Sequence, residues 1–346
     1  MLDTAKEAMD VVPFRVTDPE RIPVQRYYDE EFYRLETEKL WPRVWQMACR
    51  LEQIPNIGDW VEYKNLGKSV IVVRTKDGVK AFHNACRHRG VPVTEGHHGN
   101  CKVQGFICPF HGWRYNMEGK NTFVYGRHMF SEDLLNEAEL ALVPCRVETA
   151  IGCAFINFDD DAPSFRDSLG PVIDRIEAHG AGKLRAEWWF GTVLPANWKI
   201  AMEAFMEGYH VMKTHPQLQR ATPQLYNSMY GTETGGIGIQ ANPNMSVRDN
   251  IRSQIDHMEL LSEGMAGMLH AKEVAIAKEL ADVELPEDPQ QAVMMWYGIV
   301  QDQITKKLQA KGEPVPDLNA VAVSHPINAV EFIFPHYFLL PNFSSM

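Results

Sequence analysis

A chain of 346 residues with 45% apolar and 23% charged residues has a globular composition, and it is long enough for two domains with ample core. The formal net charge is −11 and the basic residues are scattered, which argues against a broad nucleic-acid surface. No run of about 18 apolar residues marks a membrane span, and the first residues lack the basic-then-apolar pattern of a signal peptide. Six cysteines are too sparse for a disulfide scaffold. The expectation is therefore a cytoplasmic protein whose cysteines bind metal or stay as buried thiols.

Residues 1–45 read as a leader with one helix over 29–45, where Phe32, Leu35, Leu40, Trp41 and Val44 fall near helical spacing. Short β-rich runs follow at 60–63, 70–73, 79–82, 105–108 and 152–158, punctuated by Gly, Pro and Asn. After Asp159-Asp160-Asp161 the pattern predicts helices over 164–179 and 198–211 and a strand over 187–194. Longer helical stretches follow over 253–282 and 289–310, and the region 329–340 is strand-like. The chain divides into a leader (1–45), an all-β module (46–160) and an α+β domain (161–346).

The strongest chemical signal lies in the β module: Cys86-Arg87-His88, then nineteen residues, then Cys108-Pro109-Phe110-His111. Gly90 and Gly112 follow the two pairs, and glycine lets a backbone reverse close to a ligand. On donor type alone, two Cys and two His also suit structural zinc. Zinc fingers, however, usually pair Cys with Cys and His with His, whereas each loop here brings one of each. That arrangement suits a two-iron cluster with thiolates on one iron and imidazoles on the other.

Cys-x-His-Arg-Gly followed by Cys-Pro-Phe-His-Gly-Trp resembles the Rieske [2Fe–2S] signature of ring-hydroxylating oxygenase α subunits. The likeness extends to Arg89, Gly90, Pro109, Gly112, Trp113 and Tyr115. It implies that Cys86, His88, Cys108 and His111 hold the cluster. The stretch 95–102 is slightly longer than usual, and His97, His98 and Cys101 are read as loop residues.

A second signal is Asn197-Trp198-Lys199, then Glu203, Glu207, His210 and His215-Pro216. On a helix Glu203, Glu207 and His210 share one face. His215 would point about 140° away from His210 on a regular helix. Pro216 disfavours helical backbone at His215, so the chain leaves the helix there and can return that ring toward His210. Taken alone, such a face is more commonly a solvated helix surface.

Downstream of the first motif, the pattern resembles the mononuclear iron motif of the same family, usually written with Asp where Glu207 stands. The resemblance implies that His210 and His215 are two ligands of a two-His-one-carboxylate triad for non-haem Fe(II), which leaves positions open for O2. It also implies that Glu207 bridges subunits, carrying electrons from a Rieske histidine (His111 by motif position) to the iron of its neighbour. Glu in place of Asp occurs in members that act on non-aromatic substrates. The plainer role for Glu207 is to orient His210 alone, and Glu203 is read as a supporting residue. Ala204 stands where many members have Asn.

By the family's spacing, the third iron ligand, an Asp or Glu, is expected beyond Met346, which makes the chain a fragment of a longer polypeptide. Glu331 and Asp302 are the nearer carboxylates that would otherwise serve. Met258, Met265, Met268, Met294, Met295 and Trp296 are expected as core rather than as a substrate cavity. Trp188, Trp189 and Trp198 are expected to pack, and Cys49, Cys145 and Cys153 to be buried thiols. No Gly-rich nucleotide loop follows a strand, so electrons are expected from a separate ferredoxin or reductase.

The implied fold is α+β, an all-β Rieske domain joined to a helix-grip (START-like) catalytic domain with an antiparallel sheet, with the leader packing on the catalytic domain. The implied assembly is a homotrimer or α3β3. The implied activity is O2-dependent hydroxylation, by cis-dihydroxylation or monooxygenation, of an apolar small molecule, by family habit aromatic. The alternative is a Rieske electron-transfer or sensor protein without oxygenase activity.

Overall fold

A computed structural model describes residues 12–186, 189–207, 209–216, 241–264, 269–327 and 330–339. The chain divides into two compact units. One comprises Met1–Gly170, Leu184–Ile200 and Ile333–Tyr337; the other comprises Pro171–Lys183, Ala201–Phe332 and Phe338–Met346.

In the first unit, β1 (Gln46–Arg50), β2 (Asp59–Asn65), β3 (Lys68–Thr75), β4 (Gly78–His83), β5 (His98–Asn100), β9 (Pro144–Ala150) and β10 (Cys153–Asn157) form an antiparallel sheet in the order β1-β10-β9-β4-β3-β2-β5. The sequence of β3 explains its central place. Val70, Ile71, Val72 and Val73 are all fully buried. Strand alternation sends Val70 and Val72 into one core, beside Val61, Ala81 and Ile156. Ile71 and Val73 enter a second core, beside Trp60, Phe82 and Phe106. A strand apolar on both faces has to be covered on both, and each such side chain contributes about 1.5–3 kcal/mol by burial. A smaller sheet, β6 (Phe106–Ile107), β7 (Arg114–Tyr115) and β8 (Asn121–Phe123), carries the other half of the first motif.

Two local expectations change here. His98 opens edge strand β5 opposite Val61 instead of lying in a loop, while Cys101 lies in the loop that follows, buried in the second core. The leader is not one helix. It runs as Gln25–Tyr28, Glu30–Leu35, a π-helical turn Glu36–Leu40 and a 3-10 turn Trp41–Arg43. Asp29 separates the first two and caps the second, its carboxylate accepting from the Phe32 amide at 2.8 Å. Pro42 stands within the 3-10 turn, where a regular helix would need its missing N–H.

In the second unit, Ile251, Ile255, Met258, Val274, Val293, Trp296 and Val300 build a core between the helices Val247–Gly264, Ala271–Glu279 and Pro289–Ala310. The long helix begins where its sequence marks a start, with Asp288 capping the Gln291 amide and Pro289 in the first turn. The stretch expected as one helix over 253–282 is two. The two are Val247–Gly264 and Ala271–Glu279, with Leu269 and His270 outside both, and the His270 ring caps the second by accepting from the Lys272 amide at 3.1 Å. The helix expected over 164–179 likewise breaks at Gly170 (φ +52) into Phe165–Leu169 and Pro171–Ala178.

Residues 189–194 of the expected strand 187–194 have no regular structure and pair with no strand among the described residues. Trp189 is exposed rather than packed, and Glu187 and Trp188 lie outside the described residues. Met258 and Trp296 are core, Met294 and Met295 are exposed, and Met265 and Met268 lie outside the described residues. A hairpin of β11 (Glu331–Ile333) and β12 (Tyr337–Leu339) closes the described chain. Among the described residues no helix is long and apolar enough to cross a membrane.

Candidate metal centres

The two halves of the first motif fold into turns of the same build. Cys86 lies in the loop after β4, and Cys108 in the connection between β6 and β7. The Gly90 amide donates to the Cys86 carbonyl at 2.8 Å, and the Gly112 amide to the Cys108 carbonyl at 2.9 Å. The Cys86 amide donates to Val91 O and the Cys108 amide to Trp113 O, both at 2.8 Å. Gly90 and Gly112 sit at φ +72 and +71, in the left-handed region where a side chain costs about 1–2 kcal/mol.

These turns sort the four donors by type. Cys86 and Cys108 are buried in the same core. The fully buried Tyr115 hydroxyl lies 3.2 Å from Cys86 Sγ and accepts from the Arg87 amide at 3.1 Å. His88 and His111 are half-buried, with their Nδ1 atoms 3.2 Å apart. His88 stacks on Trp113 at 5.0 Å, and Phe130 meets both rings edge-on at 6.1 and 6.0 Å. Burial pushes the Cys86 thiol up, partly offset by the Tyr115 hydroxyl. Burial, then the facing His111 and Arg89, hold His88 low, in the neutral form that can ligate.

The donor set thus comes as an inner pair of thiols and an outer pair of imidazoles sharing one nitrogen-to-nitrogen gap. This fits two metals with two protein donors each, as in a [2Fe–2S] cluster of Rieske type. A single tetrahedral zinc would instead need all four donors on one point.

The second motif is built differently. Instead of one helix over 198–211, the helix ends at Glu203, a turn follows, and a short helix spans Val211–Thr214. Phe205 in that turn stacks on Phe338 at 3.9 Å, a tertiary contact that the helical pattern could not anticipate. Glu203 therefore shares no continuous helical face with Glu207 and His210. Those two still meet, because His210 Nδ1 donates to Glu207 Oε1 at 2.5 Å and the His210 amide donates to Oε2 at 3.1 Å. With Nδ1 occupied, Nε2 is the nitrogen left to bind metal. Desolvation acts to raise the Glu207 carboxyl, but the hydrogen bonds from His210 outweigh it and hold the group below its usual range. His215 has left the helical region (φ −115, ψ 74) before Pro216. Its ring lies 5.6 Å from that of His210, nearly edge-on.

The two nearer carboxylates are otherwise engaged. Glu331 is buried and receives Arg175 at 3.3 and 3.1 Å, and Asp302 accepts from Lys306 at 2.6 Å. Phe130, which packs on both His88 and Trp113, had no signal in the sequence, because it lies outside both motifs and reaches them only through the fold.

Comparison with known proteins supplies the remaining information. Residues 44–124 match the Rieske [2Fe-2S] domain, and residues 173–344 match the ring hydroxylating alpha subunit catalytic domain. The chain is 32% identical to the large oxygenase component of the 2,4-dinitrotoluene dioxygenase system of Burkholderia sp. (strain RASC), over 74% of this chain and 59% of that one. It is 30% identical to the carnitine monooxygenase oxygenase subunit of Escherichia coli (strain K12), over 63% of this chain and 59% of that one. Among solved structures, naphthalene 1,2-dioxygenase with indole bound in the active site superposes with a TM-score of 0.54 at 30% identity, covering 74% of this chain and 59% of that one. The chain spans 59% of the length of each of these two curated relatives.

This chain belongs to the ring-hydroxylating oxygenase α subunits, the Rieske non-haem iron family, which join an all-β Rieske domain to a catalytic domain of antiparallel sheet and helices. The first of these domains carries a [2Fe–2S] cluster and the second a mononuclear iron.

Proposed function

We propose that the protein is the terminal oxygenase component of a multicomponent system, an oxidoreductase that hydroxylates an apolar organic substrate with O2 and electrons from a separate ferredoxin or reductase. The observation that carries this reading is the paired donor geometry at 86–111, on a chain that also brings His210 and His215 together. In this reading the leader spans 1–45, the Rieske domain 46–160 and the catalytic domain 161–346.

Cys86 and Cys108 hold the inner iron of the cluster, and His88 and His111 the outer one. His210 and His215 hold the mononuclear iron, as two of the three ligands of a two-His-one-carboxylate triad. When bound, the cluster supplies single electrons and the mononuclear iron supplies the oxygen chemistry. Glu207 fixes the tautomer of His210. Its carboxylate remains half-exposed, free to reach the Rieske histidine His111 of a neighbouring subunit in a trimer or α3β3 assembly.

The relatives are named for aromatic compounds and for carnitine. Glu207, standing where the family more often has Asp, favours testing a quaternary ammonium substrate beside the aromatic ones.

The test is iron and acid-labile sulfide per chain, with an EPR spectrum of the dithionite-reduced protein, followed by O2 uptake with both substrate classes. Three irons, two sulfides and a Rieske signal are expected. Two irons with two sulfides, and no O2 uptake, would favour the electron-transfer or sensor alternative. Zinc without sulfide would overturn the reading altogether.

A further inference from the structure

Asn197-Trp198-Lys199 precedes the second metal region and has no part in the chemistry above, yet it is tied to the leader by an unusual set of contacts. Glu36 is only 8% exposed. Its carboxylate accepts from Lys199 Nζ at 2.7 and 2.9 Å and from Trp198 Nε1 at 3.2 Å. The same ammonium lies over the rings of Tyr27, Phe32 and Trp198 at 5.8, 5.5 and 5.1 Å, within cation–π range. Trp198 meets Trp41 edge-on at 5.1 Å, and Asn197 Oδ1 accepts from the Lys199 amide at 3.0 Å. Glu36 opens the π-helical turn Glu36–Leu40, a local widening of the helix that is often found at functional sites.

We infer that Glu36 is a positioning residue for the mononuclear iron site: the leader, through Glu36, fixes the start of the helix from which the chain runs on to His210 and His215. The inference rests on the proposed role of those two histidines. A buried ion pair adds little net stability, but each partner left alone is an uncompensated buried charge, so the pair tolerates one register and rejects others. Register matters here because the chain covers only eleven residues from Lys199 to His210. Neither iron histidine is held by a sheet. His210 and His215 flank the four-residue helix Val211–Thr214, so their placement is only as exact as the segment that delivers them. The cluster ligands lie in the turns that follow β4 and β6, on other elements than this clamp.

The test compares the native polypeptide with Glu36→Gln, Lys199→Met and the double variant, reading three quantities. These are cluster iron and sulfide with the Rieske EPR signal, affinity for the mononuclear iron under a graded chelator, and amide exchange of residues 198–203 in metal-free protein. Each single variant is expected to keep two irons, two sulfides and the wild-type signal. Each is expected to lose about tenfold in mononuclear iron affinity, the usual scale for groups that support metal ligands, with faster exchange at 198–203 and unchanged exchange in β3.

The double variant separates positioning from stability. Removing both charges returns the melting temperature toward wild type, while iron affinity stays low. Iron affinity that recovers together with stability, or that never falls in Glu36→Gln, overturns the inference, as does loss of cluster and mononuclear iron in parallel. A wild-type chain that never takes up a third iron would instead overturn the reading of His210 and His215, and this inference with it.

Discussion

The two metal regions hold their donors by opposite means. Around 86–113, each cysteine sits in a turn closed by two backbone hydrogen bonds and continuous with strands, and Tyr115 and Trp113 pack beneath the donors. Around 197–216, a six-residue helix, a turn and a four-residue helix carry the histidines, and a half-exposed carboxylate aligns one of them. The first region is held by backbone hydrogen bonds and by packing against strands. The second is assembled from short pieces whose geometry depends on the groups around them.

The largest expected effect tests whether the two centres are independent. Cys108→Ser should abolish the cluster, removing two irons, both sulfides and the Rieske EPR signal. His210→Ala should remove the mononuclear iron alone, with iron-to-sulfide analysis as the readout. Loss of sulfide in His210→Ala would break the comparison, because the first region would then lean on the second. Next in size is Tyr115→Phe. It deletes the hydroxyl that contacts Cys86 Sγ and accepts from the Arg87 amide. Chemical denaturation should show a loss of about 1–3 kcal/mol from the orphaned amide. Voltammetry should show a lower cluster potential, since hydrogen bonds to the sulfurs raise it.

Glycine substitutions probe the same rigidity more gently. At Gly112 (φ +71) a Cβ would meet nothing within 4 Å, so Gly112→Ala isolates the backbone cost of about 1–2 kcal/mol. At Gly298, inside the helix Pro289–Ala310, a Cβ would lie an ordinary 3.9 Å from Asn319 Oδ1. Gly298→Ala should therefore stabilise by about 0.5–1 kcal/mol. Thermal melts of opposite sign are expected. A melt for Gly112→Ala equal to wild type would mean that the turn is not held as tightly as its hydrogen bonds suggest.

How legible the two regions were follows from the same contrast. The β module could be read from sequence because its rules are local: a β-branched run at 70–73, and glycines placed where a turn needs positive φ. The Cys/His pairing needed no tertiary information to suggest two metals. The second region was legible in its residues but not in its shape. The helix pattern over 198–211 was sound by propensity, yet Phe205 reaches Phe338 and the helix stops at Glu203. No pattern in the sequence singles out Glu36, and its partner Lys199 is 163 positions away, beyond any periodicity argument. The leader's division into α, π and 3-10 pieces was equally hidden, although Pro42 was in plain view.

The smallest effect concerns the cysteines that bind nothing. Burial pushes Cys49 and Cys145 up to about 12 and Cys101 to about 11, from an ordinary value of 9.0. The fold keeps these thiols neutral while the unfolded chain ionises. Their contribution to stability is therefore fully present below pH 9 and is lost as pH rises toward 11 to 12. All three belong to the two cores that flank β3. In native protein at pH 9, iodoacetamide should leave Cys49, Cys101 and Cys145 unmodified by mass spectrometry, and denaturant should expose them together. Rapid labelling without denaturant would mean that the sheet opens readily in the native state. A scaffold that opens so easily could not hold four cluster donors in place without metal, and the contrast between the two regions would fail at its rigid end.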